Sequence, residues 1–215
     1  MQQFDEWTPA VDADYAYAYI GGQTANTPAQ LNVLDRHTGA LIASIEDDSY
    51  EWAGYRMQTA PVIGAAGSVT AVNVGNPFDN ALLNFDTVGH AIRWSVSGGY
   101  TGTPGYRAGV LYAVNRQPLQ LEARSEADGA LMWAWTPPLA SENSFVGDVL
   151  VTDNVVFVST NEAVYGVSLT THETVWSWPK SGRLSLSANG VLYISTYAPT
   201  RNPNNGDIVA FDLNR

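Results

Sequence analysis

The stretch Leu121-Glu-Ala-Arg-Ser-Glu-Ala-Asp-Gly-Ala-Leu-Met-Trp133 contains the pattern that decides the fold. It consists of a strand with apolar residues at alternating positions, a polar turn, and a second strand that ends in tryptophan. The pattern recurs along the whole chain. Its turn opens in succession at Asp35, Asp86, Ser125, Ser168 and Asp212. The separations of 51, 39, 43 and 44 residues identify an internal repeat of about 44 residues.

Three copies carry a tryptophan eight positions after the residue that opens the turn. These residues are Trp94, Trp133 and Trp176, and Ala43 takes this position in the first copy. In each repeat two further apolar strands lie upstream of the strand that leads into the turn. No segment shows the periodicity and caps of a helix. Four antiparallel strands in 40 to 50 residues are typical of one propeller blade. The sequence therefore predicts an all-β propeller, or propeller segment, of about five four-stranded antiparallel blades, with the last blade incomplete at the C-terminus.

A single domain over residues 1–215 follows from this repeat, with units of about 8–46, 59–99, 103–137, 145–179 and 183–215. Residues 1–7 are interpreted as an outer strand, because Trp7-Thr8-Pro9 matches Trp135-Thr136-Pro137. Two arrangements are consistent with this strand. Either it completes the last blade and closes a five-bladed ring, or the chain is the C-terminal part of a larger propeller.

Composition and charge exclude several classes of function. The 215 residues contain 21 acidic and 10 basic side chains, a formal net charge of -11, so binding to a nucleic-acid backbone is not expected. No stretch approaches the length of an apolar membrane span. The absence of cysteine removes disulfides, thiolate nucleophiles and cysteine-ligated zinc. No signal peptide precedes Asp5 and Glu6, which indicates either a cytoplasmic protein or a chain that begins after its natural leader.

The repeat resembles a known family. Leu34-Asp35 followed by Thr38-Gly39, together with Gly129 to Trp133, is similar to the PQQ-like repeat of quinoprotein-type β-propellers. The resemblance covers nearly the whole chain, and it implies that Trp94, Trp133 and Trp176 dock between neighbouring blades. It also implies an exported bacterial protein, periplasmic or secreted. In the dehydrogenases of this family PQQ and calcium lie on the propeller axis, and the adjacent cysteine pair that many of them carry cannot exist here.

Residues that could carry chemistry are few. His37, His90 and His172 fall in turns of three different blades, too far apart to bind one metal ion, so no metal site is assigned. Residues 202–207, Asp12-Ala-Asp14 and Asp47-Asp48 offer oxygen ligands, but without the alternating spacing of a calcium loop; they are interpreted as turns. No nucleophile elbow or phosphate-binding glycine loop is present, and no catalytic residue is assigned.

The long connections gather at one end of the predicted blades, and loops on a rigid scaffold often carry binding function. The segment 47–58 is rich in aromatic and charged side chains, which combine flat apolar surface with hydrogen-bonding ends. The predicted ligand-binding residues are Tyr50, Glu51, Trp52, Tyr55, Arg56, Tyr100, Tyr197 and Arg201. An alternative is that Trp52 and Tyr55 fill the space left by Ala43.

These observations favour a non-catalytic binding or assembly scaffold with a protein or glycan partner on the long-loop face. Such a role is similar in type to that of the PQQ-like propeller lipoprotein of the outer-membrane assembly machinery. The alternatives are a carbohydrate-binding propeller and a PQQ- and calcium-dependent quinoprotein dehydrogenase fragment. No cofactor is predicted, because the motifs do not support PQQ or calcium.

Overall fold

The structure is a computed structural model that describes residues 8–21, 28–49, 59–73, 80–196 and 206–214. These residues form nineteen β-strands in five antiparallel sheets, and the described part of the chain contains no helix. Within each sheet the strands lie side by side in chain order, so each sheet is an up-and-down meander. The predicted all-β propeller segment is confirmed.

Each sheet corresponds to one blade, and the blades are numbered in chain order. Blade 1 contains β1 (Ala10–Val11), β2 (Tyr15–Ile20), β3 (Ala29–Asp35) and β4 (Leu41–Asp47). Blade 2 contains β5 (Val62–Ile63), β6 (Ser68–Val72), β7 (Asn80–Asp86) and β8 (Ala91–Gly98). Blade 3 contains β9 (Tyr100–Arg107), β10 (Val110–Arg116), β11 (Leu119–Ser125) and β12 (Leu131–Trp135). Blade 4 contains β13 (Leu150–Val151), β14 (Val155–Ser159), β15 (Val164–Ser168) and β16 (Thr174–Trp178). Blade 5 contains β17 (Arg183–Leu186), β18 (Val191–Ser195) and β19 (Ile208–Asp212).

The residue that opens each repeat's turn has a clear physical task. The Asp35 carboxylate accepts hydrogen bonds from the backbone N–H groups of His37 and Thr38, and the Asp86 carboxylate does the same for Val88 and Gly89. Short polar side chains stabilise tight turns in this way, because they replace backbone acceptors that the turn removes. The repeated Asp or Ser at this position therefore closes the hairpin between the third and fourth strands.

The tryptophans that follow these turns contact the next blade. The Trp94 indole donates a hydrogen bond of 2.7 Å to the backbone oxygen of Glu126 in blade 3. Trp133 of blade 3 stacks on the ring of His172 in blade 4, with 4.5 Å between ring centroids. Trp176 of blade 4 meets Phe211 of blade 5 edge to face at 5.1 Å. Trp94 and Trp133 thereby pack the outer strand of one blade against a turn of the next, whereas Trp176 packs against strand β19.

The hydrophobic core lies between consecutive blades. One buried cluster joins blades 1 and 2, for example Tyr19 and Phe85, and another joins blades 3 and 4 through Tyr112, Val156 and Tyr165. Smaller clusters join blades 2 and 3 and blades 4 and 5. Successive residues of a strand point to opposite faces of the sheet. An interior blade packs against a neighbour on both faces, so it carries apolar residues on both.

The connections divide between two ends of the blades. Turns between first and second strands and between third and fourth strands lie at one end, the short-turn face. Connections between second and third strands and from blade to blade lie at the other, the long-loop face. Residues 22–27, 50–58, 74–79 and 197–205 connect at this second face and lie outside the described residues.

Candidate binding site

The inner strands of the blades surround a cavity of about 630 Å³ that opens at the long-loop face. Every blade contributes to its wall, because each inner strand starts at this end. The polar side chains that line the cavity are Thr8, Thr59, Thr101, Thr103, Arg116, Asp148 and Arg183. The cavity therefore combines several hydroxyl groups with two guanidinium groups and one carboxylate, in a chain whose net charge is -11.

The wall between blades 3 and 4 is held by backbone contacts. The N–H of Val149 donates to the carbonyl oxygen of Thr103 over 3.0 Å, and the Asp148 carboxylate accepts a 2.7 Å hydrogen bond from the N–H of Thr103. Gly102 has a φ of +69° and lies against Gly147, where a Cβ atom would clash with the carbonyl oxygen. A side chain at position 102 would separate the two inner strands, so glycine is required for this close approach.

Arg116 is placed at the cavity by the hairpin between β10 and β11. Its guanidinium donates to the Thr101 hydroxyl over 3.2 Å. The neighbouring Asn115 is buried, and its side-chain oxygen accepts hydrogen bonds from the N–H groups of Gly99 and Gln117. The Asn115 amide also donates to Glu122 over 3.0 Å. Arg116 is exposed at the cavity, whereas the residue beside it is fixed in the interior.

Glu122 is the centre of a buried polar cluster behind this wall. Its carboxylate is 2% exposed and accepts hydrogen bonds from Tyr100, Asn115, Gln120 and Arg124 at 2.6 to 3.0 Å. Burial by itself would raise the pKa of Glu122, but the surrounding donors outweigh it and lower the pKa. The carboxylate is thus held ionised and saturated with donors, which suits a structural anchor.

Tyr100, which was predicted as a ligand-binding residue, lies in the interior. Its ring is fully buried between blades 2 and 3, and its hydroxyl donates to Glu122 over 2.6 Å. Burial and the neighbouring Glu122 carboxylate raise the pKa of Tyr100 well above its usual value. Tyr100 begins β9 directly before Thr101, so it supports the cavity wall from behind. The strand position explains the difference: even a residue next to a loop is buried when it faces the preceding blade.

The other predicted ligand-binding residues lie outside the described residues, namely Tyr50, Glu51, Trp52, Tyr55, Arg56, Tyr197 and Arg201. The residues next to these segments belong to the described part of the chain. Asp47, fully buried at the end of β4, accepts hydrogen bonds from the Tyr19 hydroxyl and the Asn73 amide and contacts Ser49. The Thr196 N–H donates to the Asp207 carbonyl oxygen, and the Asp207 N–H donates to the Thr196 hydroxyl. Ser49 and Thr196, the last described residues before the two segments, therefore lie at the long-loop face, as the cavity does.

The features considered for metal binding have other tasks in the described residues. Asp12 accepts hydrogen bonds from the N–H groups of Asp14 and Tyr15 and from the Tyr17 hydroxyl, so it stabilises a turn. His172 adopts a φ of 61° and stacks on Trp133. No group of three or more potential ligating side chains is found in the part of the chain that the structure describes.

A calcium ion on the propeller axis would have to be held by the cavity wall. Calcium takes six to eight oxygen ligands, usually including several carboxylates. Among the described wall residues the single carboxylate is Asp148, and it already accepts the Thr103 N–H. The described residues do not fit a calcium site.

A second cleft of about 980 Å³ lies on the short-turn face between blades 4 and 5. Its wall includes Asn154, Trp176, Asn189, Phe211 and Asn214. Each of three tryptophans contacts the blade that follows its own, but the partners differ. Trp94 and Trp133 contact turn residues, whereas Trp176 contacts Phe211. This cleft is a consequence of how blade 5 packs on blade 4.

The sequence patterns missed Arg116, Asp148 and Arg183 as wall residues. A signal for the threonines was present, because Thr8-Pro9, Thr59-Ala60-Pro61 and Thr103-Pro104 recur at the start of successive inner strands. Residues at equivalent strand starts of a propeller converge on its axis. The arginines carry no such repeat, so their convergence is visible in the tertiary structure alone.

Comparison with known structures places this architecture in a class. The chain has the fold of PQQ-like β-propellers. It superimposes on the crystal structure of BamB from Moraxella catarrhalis with a TM-score of 0.64 and 17% identity, over 93% of this chain and 58% of BamB. It superimposes on a europium-containing methanol dehydrogenase with a TM-score of 0.65 and 12% identity, over 88% of this chain and 51% of the enzyme.

The chain thus spans a little over half the length of these two proteins. No family model and no curated protein sequence matches it. The described residues include no helix with the length and hydropathy of a membrane span. The likeness is one of fold, and a fold does not by itself define a function.

Proposed function

We propose that this protein is a non-catalytic binding scaffold that holds its partner at the axial cavity of the long-loop face. The observation that carries the proposal is the cavity itself, with hydroxyl groups and the guanidinium groups of Arg116 and Arg183 at one mouth. Guanidinium groups favour carboxylate partners, to which they donate paired hydrogen bonds. A protein partner with an acidic or C-terminal carboxylate segment is therefore favoured.

The saturated buried acids support a structural rather than catalytic reading. Glu122 and Asp47 are each engaged by several donors, and burial together with the Glu142 carboxylate raises the pKa of Tyr165 to about 12. A general acid or base needs a pKa near the working pH and access to substrate. The pKa of Glu122 is lowered and that of Tyr165 is raised, and both side chains are buried, so neither suits this task. Asp47 is fully buried as well, and we infer that all three residues serve to hold strands in place. An extracytoplasmic location is proposed with this role, on the resemblance to exported propellers.

A carbohydrate partner is the second candidate. The threonine hydroxyls of the wall are suited to hydrogen-bond sugar hydroxyls, and the sequence between β4 and β5 contains aromatic residues at Tyr50, Trp52 and Tyr55. The two candidates make different demands on the arginines. A neutral glycan requires no positive charge, whereas an acidic peptide does.

Labelled protein on a peptide array and a glycan array tests both candidates. Binding to acidic peptides that is lost in Arg116→Ala/Arg183→Ala but retained in Arg93→Ala supports the proposal, because Arg93 lies on β8, away from the cavity. Added salt should weaken this binding. Binding to neutral glycans that survives the double substitution supports the second candidate. Peptide binding that is indifferent to both arginines contradicts the proposed site.

A titration with PQQ and calcium, followed by tryptophan fluorescence, tests the remaining alternative. Because the described wall residues do not fit calcium, we expect no saturable quenching of the tryptophan fluorescence. Saturable quenching at micromolar concentration would contradict the non-catalytic proposal, and alcohol and aldose oxidation with an artificial electron acceptor would then be assayed.

A further inference from the structure

The connection from β12 to β13 carries an exposed apolar segment on the long-loop face. This connection comprises residues 136–149, and all of them are described. Pro138, Leu139 and Ala140 near its start are exposed, Leu139 by 49%. Among the exposed large apolar residues in the described part of the chain, Leu139 is the one that lies in a blade-to-blade connection. The long-loop face therefore presents apolar surface in addition to the polar cavity.

The backbone of Leu139 is fixed by Glu142. The Leu139 N–H donates to the Glu142 carboxylate over 2.8 Å, and the Leu139 carbonyl oxygen accepts the Glu142 N–H over 3.1 Å. The other carboxylate oxygen accepts a 2.6 Å hydrogen bond from the Thr160 hydroxyl of blade 4. Glu142 is 8% exposed and Thr160 is fully buried, so the carboxylate is held in the interior. Both backbone polar groups of Leu139 are thus engaged, although the residue is half exposed.

Asn161 holds the next part of the connection. Its side-chain oxygen accepts hydrogen bonds from the N–H groups of Asn143 and Ser144 over 2.9 and 3.3 Å. Its amide donates to the carbonyl oxygen of Ser141 over 3.4 Å. Asn161 follows Thr160 directly, between β14 and β15, so two neighbouring residues of blade 4 fix the connection. A loop fixed in this way loses little conformational entropy when a partner binds, which favours binding.

The same connection reaches the axial cavity. Phe145, Gly147 and Asp148 line the cavity, and the Asp148 carboxylate accepts the N–H of Thr103 in blade 3. Leu139 precedes Asp148 by nine positions, so the two residues lie within about 30 Å of each other. An extended peptide of about ten residues is therefore long enough to contact both.

We propose that Leu139 is a hydrophobic anchor for a protein partner whose binding segment carries both a carboxylate and an apolar side chain. This inference rests on the proposed function, because the carboxylate-binding cavity forms the other part of the site. The guanidinium groups of Arg116 and Arg183 bind the carboxylate, and Leu139 packs against the apolar side chain. Protein interfaces combine apolar contacts at rigid positions with surrounding polar contacts in this way.

The chemistry of Leu139 favours a peptide over a carbohydrate. Sugar rings pack on flat aromatic side chains, whereas leucine offers a branched aliphatic surface. Such a surface is matched by an aliphatic or aromatic side chain of a peptide, and the contact removes apolar area of both partners from water.

Fluorescence anisotropy with labelled peptides tests the anchor. The probes are peptides of about ten residues that end in Asp-Glu, with one leucine placed in turn at each other position of an alanine and serine background. A leucine-free peptide is the reference. We expect at least one leucine position to tighten binding about tenfold, because the side chain is buried on Leu139.

Leu139→Ala should abolish this gain, and Leu139→Met should keep most of it, because methionine conserves apolar volume. The matched control is Leu131→Ala, which removes a leucine that is 50% exposed at the start of β12, at the opposite end of the blades. This variant should keep the full gain. Leu131 and Leu139 are both exposed, so the melting temperatures of the variants should equal that of the unmodified protein.

The outcomes separate this inference from the proposed function. Acidic peptides that bind through Arg116 and Arg183 but gain nothing from leucine at any position would overturn the anchor and leave the proposed function intact. A leucine gain that survives Leu139→Ala would also overturn the anchor. Failure of every acidic peptide to bind would contradict the carboxylate site and the anchor together. Binding of neutral glycans alone would exclude the peptide partner.

Discussion

The indole Nε1 of Trp135 donates a hydrogen bond of 3.0 Å to the hydroxyl of Thr174, which lies on the outer strand of the following blade. Trp135 is 8% exposed and Thr174 is exposed, so the bond is partly buried, and it links two blades at their outer edges. Together with the packing of Trp94, Trp133 and Trp176 on the next blade, it explains why the repeat places aromatic residues at the ends of outer strands. These contacts add to the buried apolar clusters that lie between the blades.

Replacing Thr174 by valine should destabilise the fold by about 1–2 kcal/mol, because the buried Trp135 N–H loses its acceptor while side-chain shape is nearly kept. The free energy of unfolding in urea measures the loss. Thr171→Val, at an exposed turn position of the same blade, is the control and should be nearly neutral. Similar losses in the two variants would mean that the indole bond contributes little.

Gly102→Ala should be more harmful than Gly109→Ala, although both residues have a positive φ. At Gly109 a Cβ atom meets nothing within 4 Å, so the loss reflects backbone strain of about 1 kcal/mol. At Gly102 the Cβ atom also clashes with the Gly147 carbonyl oxygen, and the total should reach about 2–4 kcal/mol. Thermal unfolding of the two variants makes the comparison. Equal melting temperatures would argue against the close packing of the inner strands.

Glu122→Ala should cost about 3–5 kcal/mol, because it leaves the Arg124 guanidinium, 2.6 Å from the carboxylate, without its partner in a largely buried site. Glu173→Ala, on an exposed turn, provides the matched loss of a carboxylate and should change stability little. Urea titration followed by circular dichroism measures both. A mild effect at position 122 would show that water or Asp and Glu side chains nearby replace the lost charge.

The same carboxylate predicts a pH dependence. The pKa of Glu122 is lower in the folded protein than its ordinary value of 4.5, so folding is favoured by its ionised form. This stabilisation is fully present above the unfolded pKa and is lost as the pH falls from about 4.5 through the folded pKa. Unfolding free energies measured from neutral pH to about pH 3 should therefore fall more steeply for the unmodified protein than for Glu122→Gln. Parallel curves would show that this residue is not a source of the acid sensitivity.

Most of the architecture could be predicted without coordinates. The spacing of the five turn-opening residues identified the blades. At Asp35, Asp86 and Ser168 the side chain accepts the backbone hydrogen bonds that close a hairpin. The tryptophans eight positions later indicated where blades meet. Both signals are local in sequence and repeated, so they are readable from the order of residues alone. The incomplete fifth sheet was predicted for the same reason.

The candidate binding surface was less accessible to prediction. The cavity lies at the long-loop face, but Tyr100, one of the predicted ligand-binding residues, is buried against blade 2, and Arg116 and Arg183 were not singled out. These two arginines lie 67 positions apart in the sequence and share no motif. They line one cavity because separate blades converge on an axis.

The local sequence therefore determines which residues form turns, which alternate between the two faces of a strand and which aromatic residues contact the next blade. Turn chemistry and strand periodicity act over fewer than about fifteen residues, so they can be recognised in the sequence. Convergence of Thr8, Arg116 and Arg183 depends on how blades stack. Stacking is set by the summed packing of apolar faces and close glycine contacts between repeats. Those interactions join residues far apart in the chain, and the tertiary structure alone brings them together.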